Sequence, residues 1–113
     1  KGKFDYVSNC IPYTFSNGMD IEVFTFKLLK TAFKKATTKQ KVNGGVVLRF
    51  VKDNKDLFKV KNINSKFENL ANYRLTLDNK EDFVKTQKIY NYFYPNIYFK
   101  FNDIIRYLKK QNA

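Results

Sequence analysis

The chain has no histidine, no tryptophan and one cysteine, Cys10, in 113 residues. Without histidine, Ser-His and Cys-His nucleophilic catalysis within these residues is excluded. A zinc site of the usual nitrogen and sulfur ligands is close to excluded on the same count. One cysteine builds no internal disulfide framework and suits a reducing, cytoplasmic setting. Long apolar runs are also missing, and none approaches the roughly 20 residues that a membrane-spanning helix needs. The opening "KGKFDYVSNC" carries charge but no apolar stretch, so no secretory leader and no membrane span are expected.

What is present points to one folded domain with a single core. Hydrophobic residues make up 43% and aromatics 18%, the latter all Phe and Tyr, well above what a disordered chain carries. The formal charge is +12. Such an excess suits an anionic partner: nucleic acid, a membrane surface or phosphates. It equally suits a solvated surface coated by compositional bias, because Lys, Asn, Ile, Phe and Tyr are all heavily used. The lysines are scattered through "FKLLKTAFKKATTKQK", "DNKDLFKVKN" and "YLKKQ" rather than gathered in one block.

Residues 4–9 alternate as a strand, and "CIPYTFSNG" is a connection in which Asn17 and Gly18 supply turn chemistry. Residues 19–26 read as a second strand. From Phe26 to Ala36 the period changes, with Phe26, Leu29, Phe33 and Ala36 as the expected apolar stripe of a helix. Gly44 and Gly45 form a break, and residues 46–51 read as a short strand or irregular structure. "LFKVKNI" alternates as a third strand, Phe58 and Val60 sharing a face. Tyr73, Leu75 and Leu77 alternate with Arg74, Thr76 and Asp78, a fourth strand that ends on an acid. Asn79 is placed to cap a helix carrying Glu81 and Asp82 in its first turn. Phe83, Tyr90 and Tyr94 recur near helical spacing until Pro95. A last helix runs over residues 102–110 with Asn102 as its cap. Alternating strands and helices give an α/β class.

The stretch "NGMDIEVF" sets Asp20 and Glu22 two residues apart among Met19, Ile21 and Val23. On a strand both carboxylates project to one side. Like charges repel, so that side faces water or meets something cationic or hydroxylated.

Three segments and a closing helix, in order, resemble a known family. "YVSNCIPYTFSNGMDIEVFTFKLL" resembles the segment of the cytidylyltransferases of the spore-coat polysaccharide type in which a "GLDVEVF"-like run follows a loop containing proline. "LFKVKNI" resembles their next strand. "YRLTLDNKEDFVKTQKIYNYFY" resembles their "LRWTLDxPEDF" segment and the "VDTPEDL" element of CMP-sugar-acid synthetases. "KFNDIIRYL" resembles their closing helix. The resemblance implies the C-terminal portion of a Rossmann-like, GT-A-type three-layer nucleotidyltransferase fold, spanning residues 1–113. The N-terminal nucleotide-binding half, with its triphosphate loop and first metal Asp, has no counterpart here.

By that resemblance the chain is part of an enzyme that moves CMP from CTP to a sugar or sugar acid in polysaccharide biosynthesis, using Mg2+. Association with the missing half or a homodimer is expected, and the isolated chain is expected to be inactive. Asn17, Gly18, Asp20 and Glu22 are the candidate acceptor-sugar residues, and Asp78 the candidate metal ligand. Read by spacing alone, Asp78 is better taken as a helix cap, and Glu81 and Asp82 as surface acids that offset the helix dipole. Where the family has an "EHVTPYI"-like run this chain reads "QKVNGGVVLRF", with Lys41 in place of the His. Two other readings remain. One is a basic nucleic-acid module, against which the carboxylates and the lack of a recognised motif argue. The other is a degenerate, non-catalytic partner domain that retains the fold.

Overall fold

The computed structural model describes residues 2–42 and 45–111. Three short strands form one mixed sheet: β1 (Tyr6–Ser8), β2 (Glu22–Phe24) and β3 (Val60–Asn62), in the order β2-β1-β3. β1 pairs with β2 antiparallel, Ser8 opposite Glu22, and with β3 parallel, Tyr6 opposite Val60. The expected fourth strand does not form among the described residues. Residues 73–79 make one isolated bridge, Asn17 to Arg74, and no ladder. Alternation gives a segment two faces, but a strand also needs a neighbouring extended segment for its backbone donors, and here only the Leu75 N–H finds one, at the Asn17 carbonyl.

The first helix, α1 (Phe26–Lys35), starts where its period predicts. The Thr25 hydroxyl caps it by accepting from the Leu28 N–H. The stripe that it buries is only partly the expected one. Ala36 is buried and Leu29 packs against the core, but Leu28 and Ala32 fill the rest of the buried face, whereas Phe26 and Phe33 are 70% and 74% exposed. A four-residue helix, α2 (Thr38–Lys41), follows with a reciprocal capping box between Thr37 and Gln40.

Residues 46–51 are helical rather than extended. They open α3 (Val46–Asp53), with Gly45 as its N-cap at φ +61°. Val47, Phe50 and Val51 fall on one side of that helix and are buried, so helical burial overrides the β preference of the valines. Arg49 fastens α3 to α2 by donating to the carbonyls of Gln40 and Val42. Asn43 and Gly44, in the loop that departs from the family pattern, lie outside the described residues.

The core is Tyr6, Leu28, Ala32, Ala36, Val47, Phe50 and Val51, with Phe58 and Val60 packed against it. Thus α1 and α3 cover one face of the sheet. The C-terminal third holds α4 (Lys80–Phe93) and α5 (Phe101–Gln111). They meet through Tyr92 on Tyr107 at 4.5 Å, and Phe93 stacks on Phe99 of the segment between them at 4.6 Å. In α4 the buried positions are Asp82 and Ile89, and Phe83 and Tyr94 are exposed. α5 begins one residue before Asn102, and the capping contact there is the Asp103 carboxylate accepting from the Lys100 N–H at 2.9 Å. No helix of the described residues is long and apolar enough to cross a membrane.

Candidate functional site

Two loops carry the candidate residues, and the structure seats one on the other. The first leaves β1 and reaches β2 through a turn at residues 16–19, closed by the Met19 N–H donating to the Ser16 carbonyl at 3.0 Å. Gly18 takes the third turn position at φ +100°, a conformation that side chains other than glycine rarely adopt. Ser16 is fully buried and donates its hydroxyl to the Leu70 carbonyl. The second loop, residues 73–79, lies directly beneath. The Leu75 N–H donates to the Asn17 carbonyl at 2.7 Å, and a Cβ on Gly18 would stand 2.7–2.8 Å from the backbone of Leu75 and Thr76. Asn17 and Gly18 are therefore joined to the segment that carries Asp78.

The organiser of that segment is Asp82, which sequence position alone makes a surface acid. It is buried, and its carboxylate accepts from Arg74 Nε at 3.0 Å and Nη2 at 2.9 Å, from the Thr76 hydroxyl, and from the Asp78 N–H. Asn79 caps the helix as its sequence position predicts, accepting from the Asp82 N–H at 2.8 Å. These donors, the Arg74 guanidinium first, hold the Asp82 carboxyl far below the usual carboxylate range. No sequence signal pairs Arg74 with Asp82. They stand eight residues apart, and nothing in that spacing says that a loop folds back to bring them together.

Asp78 is exposed, and its Oδ2 accepts from Arg74 Nη2 at 2.8 Å. Mg2+ takes oxygen ligands and is commonly held by one or two carboxylates, the remaining positions going to phosphates and water. The described residues contain no group of three or more His, Cys, Asp or Glu placed to hold a metal ion. The segment thus fits Mg2+ as the donor of a single carboxylate, not as a cage.

Glu22 opens β2 and Asp20 lies just before it, outside the strand, and what meets Glu22 is a hydroxyl. The buried Tyr6 donates its phenol to Glu22 Oε2 at 2.9 Å. Burial chiefly, with help from Glu22, raises that phenol well above its ordinary range. Asp20 is exposed at the strand approach. The segment between the turn and β2 is held by a side chain in place of a longer ladder. Asn9 accepts from the Ile21 N–H and donates to the Met19 carbonyl, both at 2.8 Å. Burial first, then the Asp20 carboxylate, push the Cys10 thiol up and the Tyr13 phenol up to about 12. Beside them an open groove of about 490 Å3 is lined by Cys10, Ile11, Pro12, Tyr13, Lys52 and Lys55. The Lys52 Nζ lies 5.1 Å from the Tyr13 ring centre. Tyr13 and Lys52 are some forty residues apart in sequence, and no local pattern joins them.

A solved structure of a cytidylyltransferase from Leptospira borgpetersenii serovar Hardjo-bovis (strain JB197) superposes on this chain with a TM-score of 0.81 at 28% identity. The chain is similar to part of a cytidylyltransferase. The match covers 99% of this chain and 45% of that one, so the chain spans less than half the length of the protein it resembles. No protein-family model matches the chain, and no curated protein sequence matches it.

Proposed function

We infer that the chain is the C-terminal half of a nucleotidyltransferase domain, of Rossmann-like three-layer type, in a cytidylyltransferase. The observation that carries this reading is the superposition over 99% of the chain at 28% identity. The enzyme would move CMP from CTP to a sugar or sugar acid for surface polysaccharide, in the cytoplasm. This half would supply the acceptor side. Asn17 and Gly18 shape its wall, and Asp20 and Glu22 accept from sugar hydroxyls. Lys52 and Lys55, which line the groove with Tyr13, would offer positive charge to the carboxylate of a sugar acid. Asp78 would give Mg2+ one ligand. When bound, the ion supplies charge neutralisation at the phosphates. Asp82 and Arg74 hold the Asp78 loop in shape, which is the preorganisation that transfer requires.

The test is a chimera in which this chain replaces the matched portion of the Leptospira enzyme. A ligand at about 100 times its Kd adds roughly 2.7 kcal/mol, a plain rise in the melting midpoint. CTP with Mg2+ is expected to raise the midpoint above UTP, ATP and GTP, and Asp78→Asn to reduce that rise. A folded chimera indifferent to all four nucleotides would overturn the reading.

One observation favours a second reading, the basic binding module. The outer side of α1 exposes Phe26 and Phe33, with Lys30 and Lys41 over their rings at 5.3 and 5.8 Å. Binding of single-stranded nucleic acid that weakens steeply with salt and depends on those rings would support it.

A further inference from the structure

One face of the sheet is covered and the other is only partly covered, by Phe15 and Phe101. Tyr6 and Val60 turn toward the core under α1 and α3, while Val7 and Val23, a cross-strand pair, turn the opposite way. With Phe15, Met19, Ile21, Ile63 and Phe101 they line an apolar pocket of about 280 Å3. Ile21, Val23 and Ile63 are 65%, 63% and 53% exposed. Apolar residues gathered like this mark an interaction surface rather than ordinary exposure.

The two sheet edges differ. The outer strand β3 is flanked by the exposed Lys59 and carries the exposed Lys61, the kind of guard that blocks further pairing. The other outer strand, β2, reads Glu22, Val23, Phe24 after Ile21, with no lysine. The chain is also extended, with a radius of gyration of 17.0 Å. A compact domain of about this length has one of roughly 13 Å.

We propose that this partly covered face and the β2 edge dock the remainder of a cytidylyltransferase fold: an α/β segment that adds a strand to β2 and lays an apolar helix over the exposed Ile21, Val23 and Ile63. This rests on the reading above. More than half of the Leptospira chain lies outside the match, so the similar fold contains such a complement. A second copy of this chain is the poorer occupant, since each copy brings a charge of +12.

The test mixes the 113-residue chain with the unmatched portion of the Leptospira enzyme, made as a separate polypeptide. That enzyme's own matched portion is the positive control. A one-to-one complex is expected in sedimentation, with amide exchange at residues 21–24 slowed about tenfold or more. Val23→Lys is expected to weaken capture about 100-fold or more, because it buries an unpaired charge. Phe33→Lys, on the far side of α1, is expected to leave capture unchanged. A fragment that joins its own partner but not this chain would overturn the proposal. So would self-association of the chain that Val23→Lys dissolves. Capture with no response to CTP would uphold the docking surface and remove the nucleotide reading.

Discussion

Replacing Gly18 by alanine probes the contact that joins the two candidate loops. The new methyl would stand 2.7 Å from the Leu75 carbonyl carbon and 2.8 Å from the Thr76 nitrogen, closer than real Cβ contacts come. Those atoms are backbone, so no side chain can swing aside. The φ of +100° is a second obstacle. A strained backbone of this kind costs roughly 1–3 kcal/mol. Forcing a methyl into occupied space typically adds about 1–3 kcal/mol. The sum, about 2–6 kcal/mol, is a large share of the 5–15 kcal/mol that holds an ordinary domain folded.

Gly45→Ala is the matched control. Its φ is +61°, but the nearest atom is Arg49 Nη2 at 4.0 Å, so it carries the backbone strain and not the clash. Its cost is about 1–2 kcal/mol, less the 0.4–1 kcal/mol that alanine recovers by restricting the unfolded chain. Urea unfolding followed by tyrosine emission and circular dichroism reads both variants. At about 1–3 kcal/mol per molar urea, the Gly18→Ala midpoint should fall by one to two molar more than the control. Equal midpoints would refute the claim that the loops are seated in contact at Gly18.

Asp82→Asn is expected to destabilise the chain at neutral pH. Its folded carboxyl lies below the unfolded value, so its contribution is present above about pH 4 and is lost as pH falls further. Melting curves of variant and wild type should therefore converge in acid; a constant gap would refute the ion-pair role. Tyr6→Phe removes a hydrogen bond to a carboxylate, worth about 1–3 kcal/mol. Because the folded phenol is raised, wild-type stability is full below about pH 10 and declines above it, and the variant should show a flatter alkaline limb. Cys10, buried and with its thiol pushed up, should resist thiol reagents at pH 8 until urea opens the fold. Rapid labelling of the native chain would contradict its placement.

Several features follow from local chemistry and are legible in the order of the residues. Period 3.6 and the change of pattern at Phe26 place α1, alternation places β1, β2 and β3, and the side chain of Asn79 starts α4. The Asn17-Gly18 turn is legible because side chains other than glycine rarely adopt its dihedral. Resemblance in four short runs leads to a cytidylyltransferase, and the superposition agrees with that family while leaving the acceptor and the metal to be measured.

Tertiary structure alone decided which stripe of α1 is buried. Phe26 and Phe33 are the larger apolar residues, yet Leu28 and Ala32 lie inward, because the sheet and α3 approach from their side and leave little room. It also made a helix of residues 46–51, where burial of Val47, Phe50 and Val51 outweighs β preference. It denied residues 73–79 a strand for want of a partner, and it turned Asp82 from a surface acid into the centre of the loop. In each case the outcome depends on what another part of the chain brings into contact, and no periodicity within a segment carries that information.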